Sequence, residues 1–282
     1  MKNVKPLLTT FFILSIVLNI SANLKRDVIS LELREEFGKS LTDTARYNKA
    51  IALAEYYKTV DIDSSTLWLH KALCIARTID QRTTAKSYRS IGEFYLNLNE
   101  QDSAAFYFEK ALQFFEDENM LDEQLQCWEI LADLYLDLGK YDKTLDLTQK
   151  QLEAHKKSGN KAKIARAYQD LGYLYYFMGE YASTLENYTI AMNIYQSEHL
   201  EYEYYICSYY NAMMYYEIGD YETCRKTLLE DLTFFKKYES GRAEGVSYAA
   251  TIYKRMALLD IETGYYQEGL EYCDSAFARA FS

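Results

Sequence analysis

Residues 167–192 read AYQDLGYLYYFMGEYASTLENYTIAM. Tyr168, Leu171, Gly172 and Tyr175 share one face of a helix, and Tyr188 and Ala191 share a face of a second one. Gly179 lies between the two runs and marks a tight reversal. The stretch therefore predicts a helical hairpin. Forty residues earlier stand Trp128, Leu131, Ala132, Tyr135 and Gly139. Forty before those stand Tyr88, Ile91, Gly92 and Tyr95, with Ala104, Phe108 and Ala111 in the second helix. Forty later come Ala212, Tyr215, Gly219 and Tyr221, but Ser208 and Asn211 replace the first aromatic and the Leu. A step of 45 from Ser208 reaches Tyr253, then Ala257, Gly264 and Ala276, with Asp260 in place of the second aromatic. An upstream copy holds Ala54, Tyr57, Leu69 and Ala72. Small residues at 92, 132, 172 and 212 let one helix approach another closely, and the aromatics fill the gaps between neighbours.

Six units in phase follow, at about 47–82, 85–119, 124–159, 164–198, 204–239 and 249–282. The pattern aromatic-x2-Leu/Ile-Gly/Ala-x2-Tyr, then Ala-x3-Phe-x2-Ala, resembles the tetratricopeptide repeat, with a period about six residues longer than the common 34. The resemblance implies an all-α fold, a right-handed superhelical α-solenoid of helix pairs. Asp63-Ser64 and Asp102-Ser103 are expected to cap the second helices of the first two units, and glycine to end the first helices of the others. After Pro6 the chain has no proline, so its turns rest on glycine and capping residues.

The ends differ from the repeat. Lys2 and Lys5, the apolar run Leu7–Ile20 and the small pair Ser21-Ala22 read as a signal peptide over residues 1–22. The expected location is therefore exported and periplasmic, with membrane contact only through that segment if it stays uncleaved. Residues 23–46 form a polar lead-in with Leu31 and Phe37 in a weak helical stripe. The extra five residues fall between Lys236 and Tyr248, a joint rich in Ser and Gly. At the far end Leu270, Cys273, Phe277 and Phe281 leave an apolar stripe for docking or dimerisation through the last helix.

Composition excludes several functions. The 282 residues carry 31 Lys plus Arg against 42 Asp plus Glu, a net charge of −11, and no basic patch, which excludes a nucleic-acid partner. His70, His155 and His199 lie in different units without ligand spacing, and no phosphate-loop, dinucleotide or hydrolase motif occurs. No catalytic residue, cofactor or metal is expected. The five cysteines, Cys74, Cys127, Cys207, Cys224 and Cys273, fall in helical patterns and read as small buried hydrophobes rather than a disulfide framework.

A concave groove lined by the first helix of each unit remains as the site. Register places Arg89 and Glu93 on it in unit two, within a polar wall that includes Lys86 and Gln126. In units four and five the same register exposes Arg166, Gln169, Tyr173, Tyr176, Phe177, Tyr209, Met213 and Tyr216. Aromatic and Met side chains of this kind favour recognition of a protein or peptide. Lys71-Ala72-Leu73 and Lys110-Ala111-Leu112, each near the end of a second helix, are similar to the exported sensor repeats of Bacteroidetes-type signalling proteins. That similarity implies a sensor or interaction module for signal transduction. The alternative is a small-ligand or short-peptide receptor, its pocket formed by the aromatics of units four and five.

Overall fold

A computed structural model describes residues 30–239 and 248–280. The signal segment, the first part of the lead-in, most of the 236–248 joint and Phe281 lie outside the described residues. The described chain is an all-α solenoid of helix pairs: α1 (30–39), α2 (Asp43–Tyr57), α3 (Ile62–Ile79), α4 (Gln81–Asn97), α5 (Gln101–Asp117), α6 (Leu121–Asp137), α7 (Tyr141–Ser158), α8 (Lys161–Phe177), α9 (Tyr181–Ser197), α10 (Glu201–Glu217), α11 (Tyr221–Glu239), α12 (Tyr248–Thr263) and α13 (Tyr266–Ala280). It divides into two compact bodies, one up to Leu134 and one from Tyr135, with the boundary inside α6.

The period of 40 is two periods of 20. Helices α4, α5, α6, α8, α9 and α10 each have 17 residues and are followed by three-residue turns. A residue with positive φ recurs every 20 positions: Asn99, Asn119, Gly139, Gly159, Gly179, His199 and Gly219. At most of these turns the next N–H reaches back to the carbonyl five residues earlier, as Glu100 N does to Tyr95 O (3.0 Å), Lys140 N to Tyr135 O (2.7 Å) and Asp220 N to Tyr215 O (2.8 Å). This satisfies a carbonyl that the helix end would otherwise leave unpaired. The aromatics spaced at 40 thus sit at fixed distance from each turn. Glycine ends the first helices of units three to six, as expected, but Asn99 does so in unit two.

The expected N-caps are displaced by two residues. Asp61, with extended backbone, caps α3 by accepting from Ser64 N at 3.3 Å, while Asp63 falls in the first turn. Glu100 stands at the α5 cap without a side-chain hydrogen bond, and Asp102 again falls in the first turn. A cap needs an extended residue just before the helix, and both helices start earlier than the Asp-Ser pairs imply.

In the N-terminal body α1 leans Leu33 and Phe37 onto the first unit, Phe37 meeting Trp68 edge-on at 5.2 Å. The exposed Leu31 does not share that stripe. The close approach expected at Gly92 is present, since a Cβ there would lie 2.9 Å from the buried Phe108 ring. Gly172 meets Tyr188 in the same way at 3.2 Å in the C-terminal body. There the core joins Cys224, Leu228, Leu232 and Phe235 of α11 to Ala249, Ile252 and Met256 of α12. Asp260, at the place of the second aromatic, is buried and paired with Arg225.

The turn geometry gives two substitutions of opposite sign. Gly179→Ala should lower stability by about 1 kcal/mol, because alanine resists the left-handed conformation. His199→Gly should raise it by about 0.5 kcal/mol, the relief of that strain being partly offset by the freer unfolded chain. Urea unfolding of both variants, followed by circular dichroism, checks the pair of signs.

Candidate functional site

In the N-terminal body the predicted wall residues are brought together. Arg89 Nε lies 3.4 Å from Glu93 Oε1 one turn along α4, and Arg89 Nη1 donates to Gln126 Oε1 of α6 at 2.9 Å. Arg82 and Glu123 pair across the same two helices at 3.4 Å. These charges answer one another within the wall, and exposed pairs of this kind contribute about 0–1 kcal/mol each. An open cleft of about 900 Å³ lies beside them, lined by Asp80, Arg82, Glu118, Asp122 and Glu123 among others.

The aromatic set of the C-terminal body separates into two layers. Tyr209 and Met213 are 6% and 8% exposed and belong to the core with α11 and α12. Both were expected on the open face. They are buried because α12 packs against α10, and the Tyr209 hydroxyl there lies 3.4 Å from Arg255 Nε. The outer layer comes from α8. Phe177 is 45% exposed, and its ring meets Tyr173 at 4.9 Å and Tyr176 at 5.6 Å, both edge-on. Tyr173 reaches α10 through Tyr210 at 5.7 Å. Tyr216 is half-buried and donates its hydroxyl hydrogen bond to Glu262 of α12. These rings pack on one another, with Phe177 the one most open to solvent among them.

The polar groups are fixed to the same face. Arg166 pairs with Asp170 at 3.0 Å, and Gln169 Oε1 accepts from Tyr195 Oη at 2.9 Å. Arg255 is the residue that register did not predict. It is exposed, makes no ion pair among the described residues, and has the hydroxyls of Tyr209, Tyr176 and Tyr216 around it. Partial burial opposes its charge, but the three tyrosines outweigh that and raise its pKa. The Tyr216 phenol is pushed up to about 12, first by its hydrogen bond to Glu262 and then by burial. Burial likewise raises Tyr195 and Tyr210. The face therefore offers phenolic hydroxyls and guanidinium groups, a chemistry of contact and hydrogen bonding.

All five cysteines are free. Cys127, Cys207 and Cys224 are buried as expected, and burial raises their thiols, to about 12 for Cys127 and about 11 for Cys224. Cys74 and Cys273 are exposed, contrary to the reading of all five as core. Among the described residues no group of three or more His, Cys, Asp or Glu could hold a metal ion. No described helix is long and apolar enough to cross a membrane.

The tetratricopeptide repeat family model matches residues 124–197, and the model of soluble NSF attachment protein matches residues 33–150. No curated protein matches the sequence. Among solved structures the chain is similar to the apo form of RapI, at 16% identity and a TM-score of 0.73, covering 90% of this chain and 68% of that one. It is also similar to aspartyl phosphate phosphatase F of Bacillus subtilis, at 13% identity and a TM-score of 0.58, covering 84% and 71%. A signal transduction ATPase of Pyrococcus horikoshii with a tetratricopeptide repeat sensor gives 16% identity and a TM-score of 0.54, covering 92% of this chain and 47% of that one. Identities this low carry the fold alone.

The two aromatic layers should respond differently to truncation. Met213→Ala should destabilise the protein by about 2–4 kcal/mol, as a buried large-to-small change does. Phe177→Ala should stay within about 0.5–1 kcal/mol of the wild type, since nearly half of that ring is already in water. Denaturant midpoints of the two variants read the difference.

Proposed function

We propose that this chain, a tetratricopeptide-repeat protein, is a non-enzymatic scaffold that binds a protein segment or peptide on the α8–α10–α12 face of its C-terminal body. The observation that carries the reading is the company of Phe177, Tyr173, Tyr176 and Tyr216 with Arg255. The exposed Phe177 ring and the half-buried tyrosines beside it supply contact area at low entropic cost, and a guanidinium without an ion pair supplies direction. The segment that fits lays apolar side chains on the α8 rings and brings a carboxylate or carbonyl oxygen to Arg255. Arg89 and Glu93, already paired with each other, are the weaker candidate surface.

Export and a signalling role complete the proposal. Export is supported by the basic, apolar and small-residue succession over residues 1–22. A sensing role is supported by the sequence similarity to exported sensor repeats and by analogy with the Pyrococcus horikoshii protein, in which repeats of this fold form the sensor. If the leader is removed, the intact mass of the protein from the periplasmic fraction should begin at Asn23. A chain that retains Met1 would count against cleavage.

Binding is tested by selecting peptides from a displayed random library on the purified chain. The selected peptides should lose at least tenfold in affinity with the double variant Tyr173→Ala/Phe177→Ala and with Arg255→Gln, while the thermal midpoints of both stay near the wild type. Peptides that ignore these changes and are lost instead with Arg89→Glu would move the site to the N-terminal body.

A further inference from the structure

The fifth helix pair breaks the repeat at three buried positions together. In steps of forty, Ser208 stands where Tyr88, Trp128 and Tyr168 stand, and Asn211 where Ile91, Leu131 and Leu171 stand. Asp231 stands where Ala111, Gln151 and Ala191 stand. All three are buried, Asp231 to 1% exposure. Among the described residues no cation pairs with Asp231, and neither of its carboxylate oxygens makes a close hydrogen bond, although the Ser208 hydroxyl faces it. Oδ1 of Asn211 makes none either, its Nδ2 donating to the Met192 sulfur at 3.4 Å. The other buried acid of this body, Asp260, is held by Arg225.

A buried carboxylate without a counter-ion is far costlier than a buried carboxylic acid. From these contacts we propose that Asp231 is a proton-linked latch of the fifth helix pair, protonated while α10 and α11 pack together and loosening that pair when its proton passes to solvent. The groups around it supply no compensating charge. From α10 it is faced by the Ser208 hydroxyl and by Tyr204 and Tyr205, whose own ionisation Asp231 opposes. From α11 it is faced by Glu230, a like charge. From α12 the core beside α11 receives Ala249, Ile252, Tyr253 and Met256, and Tyr248 stacks on Phe235. Burial pushes the Asp231 carboxyl up to about 7, with Ser208 opposing the rise and Glu230 adding to it.

The sign follows from linkage. The unfolded carboxyl titrates near 3.9. Below that pH both states hold the proton and the carboxyl adds no pH dependence. Between roughly 4 and 7 the unpacked chain ionises while the packed one stays protonated, so the packed state loses ground as pH rises and levels off above about 7. Because α10 also carries Tyr216, the latch sets how firmly the α10 part of the aromatic face is held.

Hydrogen–deuterium exchange of the full chain at pH 5.5 and 7.5, corrected for intrinsic rates, tests the latch without any ligand. Protection of the α10 and α11 amides should fall on the order of tenfold from pH 5.5 to 7.5 in the wild type. It should stay level in Asp231→Asn and in Asp231→Ala, the latter restoring the residue of units two and four. Every other titratable group is common to all three proteins, so the difference between them isolates Asp231. An equal fall in wild type and variants, or no fall in the wild type, would overturn the proposal. So would loss of helical structure in both variants at pH 5.5, where the packed state is held to contain a neutral side chain.

Discussion

The left-handed turn every 20 residues is the constraint from which the rest of the architecture follows. A 17-residue helix brings the chain back to the same azimuth only if the turn after it is always the same length and shape. Positive φ at Asn99, Asn119, Gly139, Gly159, Gly179, His199 and Gly219 keeps it so. At most of them a return hydrogen bond to the fifth residue back closes the helix end. With spacing fixed, Gly92 and Gly172 fall where Phe108 and Tyr188 press against the backbone, and the aromatics repeat in register. Helices α2 and α3 lie outside this period, and there Asp61 caps α3 and Asp80 caps α4 through their side chains.

The same constraint separates core from open surface. Within a helix pair the face toward the partner helix is fixed by close packing, and what stands on the remaining face is free to vary. In the C-terminal body that freedom is used for rings. Tyr173 and Tyr176 lean against the cores while Phe177 extends the aromatic habit of the repeat into solvent. The polar substitutions at 208, 211 and 231 do the opposite, placing polar groups where packing would favour apolar ones. Asp260 shows one solution, a guanidinium partner from α11. Asp231 has none. Burying an acid in this way lowers stability, and a natural sequence keeps such a group where its titration or its position is used.

Much of this was legible in the sequence because glycine and spacing carry direct physical meaning. Gly139, Gly179 and Gly219 mark positive φ, and the 40-residue series marks the pairs. The turns at Asn99, Asn119 and His199 were not legible, because these residues adopt the same conformation without announcing it. Asp63 and Asp102 were misread as caps, since capping depends on where the extended residue lies and not on residue type alone. Tyr209 and Met213 were placed on the open face by a register averaged over units, and α12 buries them. Arg255 was missed for a related reason. It follows the longer 45-residue step, where the averaged register no longer points to the right side of the helix. Cys74 and Cys273 were read as core from helical context, but neither faces a neighbour that would bury it.

The central claim is that an exposed face of α8, α10 and α12 holds a partner segment while the paired charges of the N-terminal body do not. A structure of the chain with a selected peptide bound tests it most directly. The peptide should lie along Tyr173, Phe177 and Tyr216 with an oxygen within hydrogen-bond distance of the Arg255 guanidinium. A peptide seated on the second helices of the pairs, or on the Arg89–Glu93 wall, would contradict the account.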